Sequence, residues 1–228
     1  MTPRIRSTNL ARPKPDPGTP RLTGIDKRSA PAIEVFAPGS ADGDGPHYGD
    51  GPGVAGDLVG DSQHHGGAHK AVYAFSREEL DWWGSELGRD LPDGWFGENL
   101  TTEGLDLDRL LVNQRVRVGD AVELEVSISR QPCATFARHM GERGWVKRFA
   151  AHGRCGAYFR VVGPGTVRPG DAVTPLEAPE HDIDLVTLFA AEMGDDDAAR
   201  RVVAAGVVPP HWHDRLARRV RRGRSPSR

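Results

Sequence analysis

The sequence predicts a mainly β fold with some helix: a small barrel of short strands followed by a compact three-helix segment. Three observations carry this. Val122, Leu124, Val126 and Ile128 alternate with Glu123, Glu125, Ser127 and Ser129, the period of two that a strand requires. Gly-Asp turn chemistry at 119–120 returns at 170–171, so short strands follow one another through tight turns. Beyond residue 181 the apolar spacing lengthens to three and four, the spacing of helices.

Taken in order, residues 1–22 carry five prolines in the first twenty positions together with Arg4, Arg6, Arg12, Lys14 and Arg21. This composition predicts a disordered lead-in. Residues 23–180 then form the barrel domain. Within it, Ala41 to Val54 is a Gly/Asp/Pro tract that suits neither ladder nor helix and reads as a long loop. Ala71–Phe75 reads as a short buried strand. Ser76 and Glu79 form a capping box before a helix with Leu80, Trp83 and Leu87 on one face.

Val116–Val118 and Ala121–Ser129 form a hairpin around Gly119-Asp120. Thr135–His152 is helical in pieces, interrupted at Gly141 and Gly144 and stopped at Gly153. Ala157–Val162 is a strand closed by Gly163-Pro164-Gly165. Residues 181–222 hold three helices. Asp184 caps the first, which carries Leu185, Leu188, Phe189 and Met193. Asp195–Ala205 is the second, ended by Gly206. Pro210 opens the third, with Trp212, Leu216 and Val220 four apart. Residues 223–228 are a tail. The apolar faces around Phe189 and Trp212 need a cover, either the barrel or a second copy in a homodimer.

The chain has 228 residues, a formal net charge of −2 and a pI of about 6.5. Its basic residues crowd the two ends, as solvated tails do, and no basic face marks a nucleic-acid binder. Neither the apolar core of a signal peptide nor a membrane-spanning run is present, so a cytoplasmic protein is expected. Two cysteines, Cys133 and Cys155, are free thiols in a reducing compartment. Two thiols cannot ligate an all-cysteine iron–sulfur cluster.

Three segments carry chemistry. In Gly56–Tyr73, His64, His65 and His69 lie close to Asp57 and Asp61. His65 and His69 have the i, i+4 spacing of a zinc helix, yet Gly66 and Gly67 between them oppose a helix. A reading that suits the glycines better is a loop whose amides approach an oxyanion, with His65 and Lys70 adding charge. The alternative is a loop fixed by its own hydrogen bonds. In Phe96–Thr102, Asn99 either faces a pocket or holds a tight turn in a left-handed conformation. In Ser129–Thr135, Cys133 sits where a strand ends and a helix begins, near Arg130. That position favours thiolate, the form that ligates metal or attacks. An inert, packed cysteine is the competing reading.

The order of these segments resembles the MOSC family over roughly residues 23–173. The resemblance rests on Gly24-Ile-Asp-Lys27, Gly56-Asp57, His65-Gly-Gly67, Lys70-Ala-Val-Tyr73, Phe96-Gly-Glu-Asn-Leu-Thr101, Val118-Gly-Asp120 and Arg130-Gln-Pro-Cys133. The helical tail is similar to that of the YiiM-like subgroup. The resemblance implies a MOSC-type β-barrel and a molybdenum cofactor of the molybdopterin kind, its metal held by Cys133. It also implies Lys27, Asn99 and Arg130 as ligands of the pterin phosphate and ring, with His65 and Lys70 lining the same pocket.

The implied activity is reduction of N-hydroxylated compounds such as 6-hydroxylaminopurine to amines. Electrons come from a partner reductase, and His65 or Asp61 relays a proton. Related domains are fused to pyridoxal-phosphate desulfurases. This implies an alternative, a sulfur-carrier or cofactor-sulfuration module with a persulfide on Cys133, and makes pyridoxal phosphate a domain-level expectation for a chain with four lysines.

Overall fold

The computed structural model describes residues 2–39 and 48–223. In chain order it contains β1 (Arg4–Ala11), β2 (Lys14–Pro15), β3 (Leu22–Thr23), β4 (Lys27–Ala30), β5 (Ile33–Val35), β6 (Val72–Ser76), α1 (Arg77–Leu87) and β7 (Leu100–Glu103). Then follow β8 (Arg115–Val118), β9 (Val122–Ser129), α2 (Ala134–Met140), α3 (Trp145–His152), β10 (Ala157–Gly163), β11 (Gly165–Val167) and β12 (Val173–Pro175). Helices α4 (Leu185–Met193), α5 (Asp196–Ala205) and α6 (Pro210–Gly223) complete it. Residues 41–47 of the Gly-rich tract, and 224–228 of the tail expected at 223–228, lie outside the described residues.

Eight strands form one sheet in the order β12-β8-β9-β10-β6-β7-β1-β4. Only the β6–β7 pair is parallel; α1 makes the crossover that a parallel pair requires. The sheet curls. Ile5 donates its N–H to Asp171 O (2.8 Å), Gly170 donates to Ile5 O (2.8 Å) and Val173 donates to Pro3 O (2.9 Å). These bonds bring the start of β1, next to the edge strand β4, against the segment entering β12 at the other edge, so the sheet curls towards a barrel.

The disordered lead-in expected at 1–22 is corrected: β1 is an eight-residue strand inside the sheet, paired with both β7 and β4. Its arginines are the outward half of a strand alternation. Arg4 bonds Glu103 (2.7 Å) and Arg6 bonds Asp93 (3.2 Å), while Ile5 and Ser7 turn inward and are buried. The prolines flank β1 rather than interrupt it, as missing N–H donors require.

Two finer expectations also shift. Ser127 and Ser129 belong to the polar face of β9, yet both are buried, because α4 and the segment at His69 cover that end of the strand. Ser76 does cap α1, accepting from the Glu79 N–H at 3.3 Å. The Glu79 carboxylate, however, bonds His152 (2.5 Å) and Arg154 (2.5 Å) instead of returning to the cap.

Burial explains the layout. One apolar cluster fills the barrel with Val116, Leu124, Val126 and Phe159 and continues into Leu188, Val202, Trp212 and Leu216 of the tail. A second, aromatic cluster joins Phe75, Trp83, Phe96, Phe136, Trp145 and Phe149 between α1, α2, α3 and the sheet, with Phe189 of α4 against Phe149. The apolar face around Trp212 is therefore covered by the chain's own barrel, and that around Phe189 by the aromatic cluster. Among the described residues no helix is long and apolar enough to cross a membrane.

Candidate functional site at Cys133

A cavity of about 130 Å³, open at its mouth, lies where β9 gives way to α2. Its lining brings together all six candidate residues, Lys27, His65, Lys70, Asn99, Arg130 and Cys133. Sequence separation between them reaches a hundred residues, and the fold closes it. β4 delivers Lys27, the loop before β6 delivers His65 and Lys70, the turn before β7 delivers Asn99, and the end of β9 delivers Arg130 and Cys133.

Asp57 is the hub of the inner wall. Its carboxylate accepts from Lys27 Nζ (2.6 Å at Oδ1, with a second contact at Oδ2), from Asn99 Nδ2 (2.8 Å) and from the Ala11 N–H (3.0 Å). Lys27 and Asn99 thus line the cavity but are engaged with Asp57, and a phosphate there would compete with a buried carboxylate. Asn99 is not left-handed: the one non-glycine positive φ among the described residues is at Asn113, and Gly94 and Gly97 make the turn. Instead Asn99 donates its own N–H to Tyr73 O (2.8 Å) and accepts from the Asn9 N–H at its carbonyl (2.7 Å), tying the turn to β6 and β1.

Arg130 is buried, its guanidinium carbon 3.9 Å from the Phe136 ring centroid and 5.1 Å from that of Tyr73. Its Nη1 is buried without a hydrogen-bond partner. The guanidinium meets Tyr158 elsewhere, and leaving a buried N–H unmet costs about 1–3 kcal/mol. Cys133 caps the start of α2 in an extended conformation, half-buried and a free thiol. Cys155 is fully buried inside the aromatic cluster, where burial pushes its thiol well up.

The three histidines do not converge. His64 is exposed on Asp61 (3.2 Å), His65 lines the cavity, and His69 is buried with Nδ1 3.3 Å from Ser127 Oγ and from Arg160 Nη1. Among the described residues no group of three His, Cys, Asp or Glu could hold a metal, so the zinc arrangement falls away. Gly66 and Gly67 have positive φ (87° and 78°), but the Gly67 N–H donates to Gly51 O (2.8 Å) and is not offered to an oxyanion.

Charge states refine the roles. Burial, then the neighbouring Lys70 and Arg130 charges, push His65 down to about 3, so it is neutral at pH 7 and adds no charge. Burial lowers Lys70 to about 8, with Glu192 opposing and Arg215 assisting, and it stays largely cationic. Against the effect of burial, hydrogen bonds from Arg21 and His64 hold Asp61 below the usual carboxylate range. His65 and Asp61 are both poor proton donors near neutrality.

Sequence reasoning missed Asp57, Tyr158, Glu192 and Arg215 as site residues. Asp57 stood in a quoted motif, but its partners on two strands and a distant turn have no local signal. Glu192 and Arg215 come from helices whose spacing announces only a core face.

The MOSC domain profile matches residues 61–174. The uncharacterized protein YflK of Bacillus subtilis is 31% identical over 215 residues, 91% of this chain and 90% of that protein. The protein YiiM of Escherichia coli is 27% identical over 175 residues, 73% and 76% of the two chains. A protein of Gibberella moniliformis named reductase is 34% identical over 139 residues, 60% of this chain but 25% of that protein. Among solved structures, YiiM from Geobacillus stearothermophilus superposes with a TM-score of 0.72 at 23% identity, over 96% of this chain and 99% of that one.

Proposed function

The chain belongs to the MOSC domain family, and from that premise we propose that it holds a molybdenum cofactor through Cys133 and reduces small N-hydroxylated compounds, such as 6-hydroxylaminopurine, to amines. One observation carries the reading: a half-buried free thiol shares its cavity with a buried guanidinium whose Nη1 has no partner. Thiolate suits a soft, redox-active metal. The unmet Nη1 suits an oxyanion, which is what a pterin phosphate presents. The donor set therefore fits the group.

When bound, the cofactor supplies the two-electron chemistry. The remaining work falls to the chain. Cys133 would hold the metal, Arg130 and Lys70 would offset anionic charge, and the rings of Tyr73 and Phe136 flank the guanidinium. Lys27, Asp57 and Asn99 lock the inner wall as one hydrogen-bonded unit. Turnover consumes two electrons and two protons, converting N–OH to N–H with release of water. Lys70, at about 8, is a better proton source near neutrality than His65. In this reading the electrons come from a partner reductase.

The test is elemental analysis of molybdenum in wild type and Cys133→Ala, both made in a host that synthesises the cofactor. Near-stoichiometric metal in the wild type that is lost in the variant is the expected result. Arg130→Met should retain its fold and lose roughly tenfold or more in cofactor affinity, the worth of a charged hydrogen bond. Metal absent from both wild type and Cys133→Ala would overturn the reading in favour of the sulfur carrier, checked by mass spectrometry of a Cys133 persulfide.

A further inference from the structure

The two basic ends of the sequence meet in the fold. Arg21, just before β3, and Arg215 of α6 line one outer cavity together with Arg138 of α2 and the Cys133 thiol. From that opening α6 carries the charge onward. His211, Arg215, Arg218 and Arg222 recur at intervals of four, three and four, which places them on one face of a helix. Burial, and then the nearby Arg215, Arg218 and Lys70 charges, hold His211 below the usual imidazole range. The start of the stripe therefore lies within electrostatic reach of Lys70, which lines the same cavity.

The carboxylates beside these cations do not cancel them towards solvent, because they lie deeper. Arg138 is 33% exposed and its partner Asp16 only 3%. Arg215 is 42% exposed and its partner Glu192 is fully enclosed. Arg21 is 39% exposed against 23% for Asp61. Each pair turns its guanidinium outward, and Arg218 and Arg222 are exposed as well. The whole chain has a net charge of −2, so this face runs against the sign of the molecule. Its centre is apolar. Leu22 stands exposed at the lip of the inner cavity, beside half-buried Leu58 and Val59. The Leu22 and Gly60 segments pack backbone to backbone, which holds that lip together. An apolar centre ringed by charge is the anatomy of an interface between proteins. A phosphate-rich polymer makes no use of the leucines, and exposed Asp214 would repel it.

We propose that the cationic face running from Arg21 and Arg138 through Arg215 to Arg218 and Arg222 is the docking surface for the electron-donor protein, and that this donor carries an acidic face around its redox group. This rests on the reading of Cys133 as holder of the redox centre. Electrons cross protein only over short distances, so the donor must settle on the face nearest Cys133, and that face is basic. Opposite charge speeds the encounter and fixes the orientation.

The test is a binding titration of the full-length, metal-free chain. The probes are two acidic electron carriers, a flavodoxin and a plant-type ferredoxin, each titrated at low and at high salt. At least one should bind wild type at low salt and weaken roughly tenfold or more at high salt. The double reversal Arg218→Glu with Arg222→Glu, at exposed helix positions outside both cavities, should weaken binding at low salt by roughly tenfold or more. Leu22→Asp should weaken it severalfold. Arg117→Glu, which reverses an exposed charge on β8, should leave it unchanged. Failure of both carriers to bind wild type, or equal binding by wild type and the double reversal, overturns the proposal. Tighter binding of a DNA duplex or of phosphatidylglycerol vesicles, lost in the same double reversal, also overturns it and assigns the face to a nucleic acid or a membrane. Molybdenum content separates this proposal from the cofactor reading. Stoichiometric metal without docking removes the docking surface alone; docking by a chain that takes up no molybdenum removes the cofactor alone.

Discussion

His139 of α2 shows how one side chain fixes its own protonation. Its Nδ1 lies 3.0 Å from Lys14 Nζ and its Nε2 lies 2.9 Å from Trp95 O. The carbonyl can only accept, so Nε2 carries the proton, and Nδ1 accepts from the ammonium. A second proton on Nδ1 would face that cation. Burial, then Lys14, accordingly push His139 down to about 4, and His65 falls further for similar reasons. The folded chain then binds fewer protons than the unfolded one between these values and about 6.5. Stability from these imidazoles is present above pH 6.5 and is lost as pH falls through that window. Glu98 acts in the opposite sense: burial raises it to about 7, so folding gains as pH falls from 7 towards 4.5. Urea melts of wild type and His139→Gln between pH 7.5 and 4.5 should show a shallower acid loss in the variant. Parallel curves would mean that His139 is freely protonated in the fold. None of this was legible in the sequence, because Lys14 and Trp95 lie 125 and 44 residues from His139.

Elements were legible where their periodicity is local. The alternation of β9, the Ser76 and Asp184 caps and the glycine stops at 141, 153 and 206 all act within a few residues, and the structure has them. β1 was illegible because its evidence is elsewhere. Arg4 and Arg6 read as strand residues only once Glu103 and Asp93 stand opposite. The acidic partners are about ninety residues away, and proline-rich flanks dominate the local composition. The same reason hid Asp57, whose role is set by Lys27, Asn99 and the Ala11 amide together. The strand makes a prediction at this scale. Ile5 is buried in the barrel cluster, and Ile5→Ala should cost about 2–5 kcal/mol by emptying core volume. Arg6→Ala breaks a partly exposed ion pair and should cost less than about 1 kcal/mol. Urea denaturation measures both, and an Ile5→Ala cost as small as that of Arg6→Ala would place the segment outside the cooperative fold.

At the scale of the molecule, the tail decides whether barrel and helices are one unit or two. The sequence suggests an appendage, since three capped helices follow the last strand and their apolar faces need only some cover. The structure ties them in three ways. Leu188, Val202, Trp212 and Leu216 share the barrel's apolar cluster. Leu111 bridges Asp184, and the Val112 N–H donates to Ile183 O (3.0 Å). Glu192 reaches Ser129 beside the site. Removing the chain after residue 180 would strip buried leucine, valine and tryptophan contacts, each worth about 1.5–3 kcal/mol, from a fold whose whole margin is about 5–15 kcal/mol. The truncated chain should lose its cooperative thermal transition and bind a hydrophobic dye, rather than persist as a folded barrel lacking only an assembly surface. Calorimetry with dye binding distinguishes the two. A sharp transition in the truncated chain would show that the barrel folds alone, and would make the tail a separable module laid against the Cys133 site.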